Sequence, residues 1–260
     1  MNILDQLAEQ ARQRVVTAKA VKPLAEIKRE AMSLPKGDFP FEKALSGDDM
    51  AFICECKKAS PSKGLIAPDF PYLDIARAYE AAGAEAISVL TEPKWFLGSD
   101  DYLREITGQV SVPCLKKDFT VDEYMLYQAK LLGASAALLI CAILDEVQLK
   151  DYIRICDALG LSALVEVHDA TEAEMALGAG ARIVGVNNRN LKDFTVDNGN
   201  SKKLRNIIPP QVLFVSESGV RDAADVQAAR EIGADAVLVG EALMRAADKR
   251  AKLAELRGGL

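Results

Sequence analysis

The stretch Gly133-Ala134-Ser135-Ala136-Ala137-Leu138-Leu139-Ile140 joins a turn of small residues to an unbroken apolar run. A glycine placed after a helix supplies the left-handed residue that ends it, and small neighbours allow a tight turn into the next strand. A continuous apolar run of this length is typical of a parallel strand that is covered on both faces. The stretch therefore predicts a junction between a helix and a buried strand in an α/β protein.

The same order of a small-residue stop and a strand recurs along the chain. It begins again at Gly83, Gly180 and Gly233, so that successive copies lie about 50 residues apart, the length of two strand–helix units. An open doubly wound sheet also uses such turns, but it does not require this regular spacing. The repeat therefore favours a (β/α)8 barrel, the TIM barrel, over an open sheet.

Short apolar runs alternate with helical patterns from Met50 to the end of the chain. The patterns predict eight strands, at 51–56, 85–90, 112–116, 135–140, 162–166, 182–187, 212–216 and 235–239. They predict alternating helices at 72–82, 99–108, 121–131, 145–159, 170–178, 200–206, 221–231 and 241–254.

The beginning of the chain is helical in pattern and carries no strand signal. Apolar residues fall at helical spacing from Leu4 to Val15 and again over 24–32, which predicts two amphipathic helices. The stretch 35–40 contains two prolines and a glycine and predicts a break. We divide the chain into an N-terminal helical extension, residues 1–45, and a (β/α)8 barrel, residues 46–260, within one structural domain.

Composition excludes several classes of protein. The 260 residues carry a formal net charge of −6 and no block of lysine and arginine that would follow nucleic-acid phosphates. No apolar run reaches the roughly 18 residues of a membrane span, and the N-terminus lacks the order of a signal peptide. The five cysteines are scattered and there is one histidine, so we expect reduced core cysteines and no metal site. The chain is predicted to be cytoplasmic, with no membrane or nucleic-acid partner.

Polar side chains occur where the predicted strands end. In the first strand Glu55 and Lys57 alternate with Cys54 and Cys56, so they face the barrel axis if the cysteines face the helices. By the same alternation, only one of the two consecutive lysines at the end of the third strand, at 116 and 117, faces inward.

Three later strands also end in charged or amide side chains. Glu166 alternates with valines, Asn187 is followed by Arg189, and Glu217 ends the seventh strand. Barrel enzymes carry their chemistry at this C-terminal rim, where a water-poor environment shifts the pKa of acids and bases. A salt-bridge network that only closes the barrel is the alternative, but burying so many charges for stability alone is costly. The pattern therefore predicts a catalytic site.

Three loops predict a site for an anion at the same rim. Ser218-Gly219-Val220 follows the seventh strand, Gly240-Glu241-Ala242 follows the eighth, and Ser60-Pro61-Ser62-Lys63-Gly64 follows the first. Backbone N–H groups in such loops bind phosphate in barrels. Cationic groups collected at the rim of an acidic protein indicate a small anionic substrate.

These motifs resemble those of the indole-3-glycerol-phosphate synthase family, in the order of that family and over nearly the whole chain. The motifs are Glu55-Cys-Lys-Lys-Ala-Ser-Pro-Ser-Lys-Gly64, Leu115-Lys-Lys-Asp-Phe119, Leu164-Val-Glu-Val-His168, Gly185-Val-Asn-Asn-Arg-Asn-Leu191 and Ser216-Glu-Ser-Gly219. The resemblance implies a lyase of tryptophan biosynthesis. Such a lyase converts 1-(2-carboxyphenylamino)-1-deoxyribulose 5-phosphate into indole-3-glycerol phosphate, CO2 and water, without a metal ion or an organic cofactor.

The resemblance also implies a role for each rim residue. Lys117 would be the general acid that protonates the ketone oxygen as the aromatic carbon attacks it. Glu166 would be the principal acid/base group of the dehydration, while Glu55 would support proton transfer and hold Lys117 in place. The division of acid and base roles between the two glutamates stays open. Lys57 would meet the substrate carboxylate.

The remaining site residues would bind and orient the substrate. The implied catalytic set is Lys117, Glu166, Glu55, Asn187, Lys57 and Ser218, and the implied substrate-binding set is Ser60, Phe96, Phe119, Arg189, Glu217, Gly219 and Gly240. In this scheme the two phenylalanines flank the anthranilate ring, Asn187 and Arg189 orient hydroxyls and carboxylate, and the serines and glycines contribute to the phosphate site. Glu217 would lie near the sugar hydroxyls.

Two further residues, His168 and Glu241, lie next to the predicted site residues in the sequence. His168 shares the parity of Glu166, yet the family motif assigns it no essential role. Glu241 stands where many members of the family have a small hydroxylated residue, and a carboxylate beside a phosphate is unfavourable unless it turns outward.

Two functions other than indole-3-glycerol-phosphate synthesis are alternatives for this pattern of residues. The first is an aldolase-type lyase that uses Lys117 as a Schiff-base nucleophile, and the second is a barrel that binds a phosphorylated metabolite without catalysis. Neighbouring carboxylates would keep Lys117 protonated, which argues against the first, and an anion site needs no rim glutamates, which argues against the second. We expect a monomer or a weak homodimer acting on a phosphorylated, anionic small molecule.

Overall fold

The computed structural model describes residues 2–190, 194–197 and 199–259, and eight parallel strands within them close into a barrel. The strands are β1 (Ala51–Cys56), β2 (Ala86–Leu90), β3 (Cys114–Lys117), β4 (Ala136–Ile140), β5 (Ser162–Val167), β6 (Ile183–Asn187), β7 (Leu213–Glu217) and β8 (Ala236–Val239). Each strand pairs with the next along the chain, and β8 pairs with β1 to close the ring. The predicted (β/α)8 barrel is confirmed.

Helices alternate with the barrel strands. They are α4 (Tyr72–Ala81), α5 (Asp100–Thr107), α6 (Tyr124–Leu131), α7 (Glu146–Leu159), α8 (Ala170–Gly178), α9 (Gly199–Arg205), α10 (Ala223–Glu231), α11 (Glu241–Arg245) and α12 (Lys249–Leu256), counted after three N-terminal helices. The glycines of the repeat, Gly83, Gly133, Gly180 and Gly233, all have positive φ, from 74° to 91°. They therefore act as the left-handed stops that the repeat predicted.

One predicted helix was wrong, because the segment 241–254 contains two helices. Ala246 has an extended conformation, and the side chain of Asp248 accepts a hydrogen bond from the N–H of Ala251. An aspartate in this position caps the beginning of a new helix in preference to continuing the old one. The chain therefore turns between α11 and α12.

Three helices precede the barrel: α1 (Ile3–Val21), α2 (Leu24–Ser33) and α3 (Pro40–Leu45). The predicted break over 35–40 ends one residue early, because Pro40 is the first residue of α3. Proline is favoured there, since the first N–H of a helix has no partner within it. Ile3 and Leu7 of α1 line the cavity at the rim, so the extension covers part of that end of the barrel. The division of the chain at residue 45 stays a prediction.

Two local features complete the fold around the rim. A short hairpin pairs 59–60 with 64–65 directly after β1, and it holds Ser60 in a buried position that the sequence patterns did not predict. All five cysteines are buried and free. None of the helices in the described part of the chain is both long and apolar enough to cross a membrane.

Candidate active site

The register of the parallel strands brings four polar side chains to one rim. Leu90 pairs with Lys117, Gly185 pairs with Glu166, and Asn187 pairs with Glu217. These side chains line one cavity of about 1070 Å³, large enough for a small organic substrate. Every residue that the resemblance assigned to catalysis or substrate binding lines this cavity. Leu191, which ends the fourth motif, lies outside the described residues.

Lys117 is the buried cation at the centre of the rim. Its Nζ lies 2.6 Å from Oε2 of Glu217 and 3.4 Å from Oε2 of Glu166, and its side chain is 13% exposed. Burial alone would lower the pKa of Lys117, but the charges of Glu217, Glu166 and Glu55 raise it above its ordinary value. The side chain is therefore an ammonium at neutral pH.

The two carboxylates beside Lys117 have pKa values that move in opposite directions. Burial raises the pKa of Glu217 to about 7, in spite of its ion pair with Lys117. Burial would also raise the pKa of Glu166, but Lys117, His168 and the amide of Asn187 lower it. The site therefore contains one glutamate that stays ionised and one that is partly protonated near pH 7.

Glu55 and Lys57 form an ion pair with each other. The ion pairs of Lys117 are with Glu166 and Glu217, while the charge of Glu55 helps to raise the pKa of Lys117. The implied role of Glu55 in holding Lys117 in place stays a prediction. Glu55 and Lys57 are two residues apart on the same face of the chain, so they meet directly. A Cβ at Gly240 would come within 3 Å of the ends of both side chains, so a larger residue there would displace this ion pair.

Asn187 fixes the orientation of the groups around it. Its side-chain NH2 donates to Oε1 of Glu166 at 3.2 Å, and its Oδ1 accepts from Oγ of Ser218 at 2.9 Å and from the N–H of Arg189 at 3.0 Å. The amide is thereby held with its donor toward the carboxylate. Ser218 and Gly219 both have positive φ, 66° and 89°, and Ser218 is one of few non-glycine residues in this strained region.

The loops that the sequence assigned to an anion surround the same cavity. Ser60 is buried beside Ser62, with 3.5 Å between the hydroxyl oxygens. Glu241 binds Arg245 at 3.0 Å and lies 3.5 Å from Nζ of Lys63, so its charge is compensated by two cations. Burial would raise the pKa of Glu241, but these two cations lower it.

A pair of aromatic rings lines the same cavity as Lys117. The rings of Phe96 and Phe119 have centroids 6.0 Å apart and are tilted by 40°. The loop that carries Phe96 is shaped by the buried carboxylate of Glu92, which accepts hydrogen bonds from the N–H groups of Lys94, Trp95 and Phe96 itself.

Sequence reasoning missed two residues that shape the site. Glu92 carries a signal of its own, because it is an acidic residue two positions after the apolar run that ends at Leu90. Gly185 was read only as part of a motif, but a Cβ there would collide with Oε1 of Glu217. A glycine between valine neighbours inside a strand indicates such a close approach. Over the ranges described, no three histidine, cysteine, aspartate or glutamate side chains are grouped to hold a metal ion.

Comparison with known proteins gives a consistent result. A family model described as indole-3-glycerol phosphate synthase matches residues 4–256. A protein of that name from Ruminiclostridium cellulolyticum is 57% identical over 257 residues, which cover 98% of this chain and 99% of the relative. Another from Leuconostoc mesenteroides subsp. mesenteroides is 49% identical over 259 residues, covering 98% and 99% of the two chains.

A solved structure supports the fold alone. The 3-hexulose-6-phosphate synthase from Salmonella typhimurium superposes with a TM-score of 0.67 at 14% identity, covering 80% of this chain and 97% of that one. At such low identity the likeness carries no functional information. The family model and the two relatives span nearly the full length, and on that ground the chain belongs to the indole-3-glycerol phosphate synthase family.

Proposed function

We propose that the rim cavity closes the indole ring of 1-(2-carboxyphenylamino)-1-deoxyribulose 5-phosphate, with loss of CO2 and water, by acid/base catalysis. One observation carries the proposal: a buried ammonium, Lys117, lies within 3.4 Å of two carboxylates beside a pair of phenylalanine rings. Ring closure needs a proton donor at a carbonyl oxygen, a proton acceptor, and a surface for an aromatic ring. Family membership supports the same reaction.

Lys117 acts first in this scheme. An ammonium whose pKa is raised holds its proton until the ketone oxygen gains negative charge, as the aromatic carbon forms its new bond. Its positive charge also stabilises that oxygen, because the surroundings are low in water. The groups that hold Lys117 in place are Glu166 and Glu217.

Glu166 is the base of the later proton transfers. Its lowered pKa keeps it ionised, and Asn187 holds one of its oxygens while the other faces Lys117. Glu55, paired with Lys57, is the second candidate for proton transfer. Glu217, partly protonated near pH 7, suits a role as a hydrogen-bond donor to the sugar hydroxyls.

The rest of the cavity matches the parts of the substrate. Phe96 and Phe119 offer apolar surface to the anthranilate ring, and Lys57 offers a cation to its carboxylate. Ser60, Gly219 and Gly240 lie among the loops that we assign to the phosphate. Arg189 and Ser218, both in contact with Asn187, complete the set that orients the substrate.

A Schiff-base mechanism is disfavoured by the state of Lys117. Nucleophilic attack needs a neutral amine, and the neighbouring carboxylates raise the pKa of this lysine instead of lowering it.

We further infer that the chain works in the cytoplasm as a monomer or weak homodimer. Sedimentation analysis at several protein concentrations would test the oligomeric state.

The experiment that tests the function mixes the protein with the carboxyphenylamino-deoxyribulose phosphate and follows indole fluorescence and CO2 release. We expect both products, and we expect no covalent adduct by mass spectrometry after borohydride treatment. A borohydride-trapped adduct on Lys117 would support the aldolase-type mechanism. Saturable substrate binding without product would mean that the barrel only binds its ligand.

A further inference from the structure

The only histidine of the chain, His168, lies directly after β5 and next to the proposed base. Its Nε2 is 3.4 Å from Oε1 of Glu166, and the side chain is 18% exposed. This Nε2 is buried and has no hydrogen-bond partner among the residues that the structure describes. Glu166 is an ion-pair partner on that side of the ring.

The other side of the ring is held by a second carboxylate. Oε2 of Glu172, in the first turn of α8, accepts the backbone N–H of His168 at 2.8 Å and lies 3.2 Å from its Nδ1. The carbonyl oxygen of His168 accepts from the side-chain NH2 of Asn200 at 3.0 Å. The backbone and the ring are thus fixed between α8 and the chain near α9.

This arrangement decides the protonation of the ring. An ionised carboxylate only accepts hydrogen bonds, and a neutral imidazole has one nitrogen that donates and one that carries a lone pair. A neutral ring between two carboxylates would place that lone pair against one of them. An imidazolium donates from Nδ1 to Glu172 and places its protonated Nε2 3.4 Å from Oε1 of Glu166, as an ion pair.

The surrounding charges agree with a protonated ring. The charged groups that act on the ring are Glu166 on β5, Glu172 on α8 and Glu217 on β7. Lys117 on β3 acts on Glu166, and Cys141 after β4 is influenced by Glu166, Glu172 and Asp169 at the start of α8. Burial would lower the pKa of His168, but the hydrogen bond to Glu172 and the charges of the three glutamates raise it. Burial keeps the thiol of Cys141 neutral by raising its pKa.

We propose that His168 is a positioning residue, an imidazolium held by Glu172 that fixes the carboxylate of Glu166 and keeps it ionised for proton transfer. This rests on the role of Glu166 in the proposed function. His168 does not line the cavity, so it acts through Glu166 and not on the substrate. Removing its positive charge makes Glu166 hold a proton to higher pH, which leaves less of the base available in mild acid.

A direct test uses the fact that this chain has a single histidine. The imidazole nitrogen signals in an NMR titration need no assignment, and the measurement needs no turnover. We expect the ring to titrate above the ordinary pKa of histidine, about 6.5. We expect that pKa to fall in both Glu172→Gln and Glu166→Gln, because each substitution removes one neighbouring negative charge. A ring that titrates at or below the ordinary value, with no change in Glu166→Gln, would overturn the proposal.

A kinetic test separates positioning from folding. In His168→Gln we expect kcat to fall about tenfold at pH 6, with KM for the substrate unchanged. The loss is smaller than the roughly 10²-fold or larger loss expected when a general base itself is removed. The acidic limb of its kcat–pH profile should move to higher pH. Glu172→Gln should shift the limb in the same direction by less, while Glu174→Gln, exposed on the same helix, should shift nothing.

The outcomes distinguish this inference from the proposed function. If the wild type makes no indole product while the histidine titration depends on Glu166, the function fails and the electrostatic link stands. If the wild type makes product but the acidic limb of His168→Gln is unmoved, the inference fails and the function stands.

Discussion

Two buried carboxylates stand near the end of β3, and they differ in how they are paired. Asp118 accepts hydrogen bonds from Nη1 and Nη2 of Arg14 and from the ammonium of Lys116. It also accepts from the hydroxyl of Thr91 and from the N–H of Phe119. Burial would raise the pKa of Asp118, but Lys116 and Arg14 hold it well below the ordinary value. Its oxygens are fully used.

Glu217, the last residue of β7, contacts Lys117 at the end of β3 and is less completely paired. One of its oxygens accepts from Lys117 at 2.6 Å, whereas Oε1 has no hydrogen-bond partner in the described part of the protein. Glu166 and Glu55 add negative charge around it, and its pKa rises to about 7 because of burial and these neighbours. Three glutamates share two lysines here.

The two carboxylates separate the charges that stabilise the fold from those that remain available to a substrate. Asp118 joins α1 to the barrel and leaves no oxygen free, so its contribution is structural. The cluster around Lys117 leaves hydrogen-bonding capacity facing a cavity, at a cost in stability that functional sites commonly carry. Lys116 pairs with Asp118, and Lys117 pairs with Glu217. The two lysines are consecutive on β3, and the alternation of side chains along a strand places them on opposite faces.

The largest expected effect among the carboxylates is that of Glu166→Gln. An amide cannot take a proton, so we expect kcat to fall by about 10² to 10⁴-fold at every pH, the range typical of a general base. Steady-state kinetics from pH 5 to 9 measure it, and a thermal melt close to that of the wild type controls for folding. Near-normal turnover at any pH would remove Glu166 from the mechanism.

Asp118→Asn is expected to lower stability more than any other carboxylate substitution considered. The substitution removes the buried counterion of Lys116, which is 2% exposed, and leaves it the partly exposed Asp100 at 3.6 Å. We expect the free energy of unfolding at pH 7 to fall by about 3 kcal/mol. The pKa of Asp118 is lowered in the fold. The stabilisation is therefore complete above the unfolded pKa, about 3.9, and is lost as the pH falls below it.

Urea titrations measure this loss, and Asp151→Asn is the matched control. Asp151 is 56% exposed and pairs with Arg154 on the surface, so its removal should cost less than about 1 kcal/mol. Equal losses from the two substitutions would show that the buried network around Asp118 is not a stabilising centre.

Glu217→Gln should have the smallest effect on stability, with the opposite sign. The folded pKa of about 7 lies above the ordinary value of 4.5, so the folded chain binds more protons than the unfolded one between these values. The wild type therefore loses stability as the pH rises through this window. We expect the variant to be more stable than the wild type at pH 8 and equal to it near pH 4. A difference that does not vary with pH would contradict the raised pKa of Glu217.

The sequence predicted much of this fold because its signals are local. The helix stops at Gly83 and Gly133 depend on neighbouring small residues, and the parity of Lys117 depends only on strand alternation. The family and its lyase activity, predicted from the motifs, are confirmed by the comparisons. The residue roles at the site stay predictions.

What the sequence did not predict depends on contacts between distant parts of the chain. Arg14 reaches Asp118 across 104 residues, and no local pattern contains that choice of partner. Glu55 pairs with Lys57 and not with Lys117, which is decided by the packing at the rim. The break between α11 and α12 depends on a single cap at Asp248, which is weaker than the helical periodicity around it.

The most direct test compares the two consecutive lysines of β3. Lys117→Met and Lys116→Met remove the same charge one residue apart, from the cavity and from the Asp118 network respectively. With saturating substrate, followed by indole fluorescence, we predict no product from Lys117→Met, although it still binds the substrate. We predict product from Lys116→Met, in a less stable protein. Indole formation by Lys117→Met at the rate of Lys116→Met would contradict the assignment of the chemistry to Lys117.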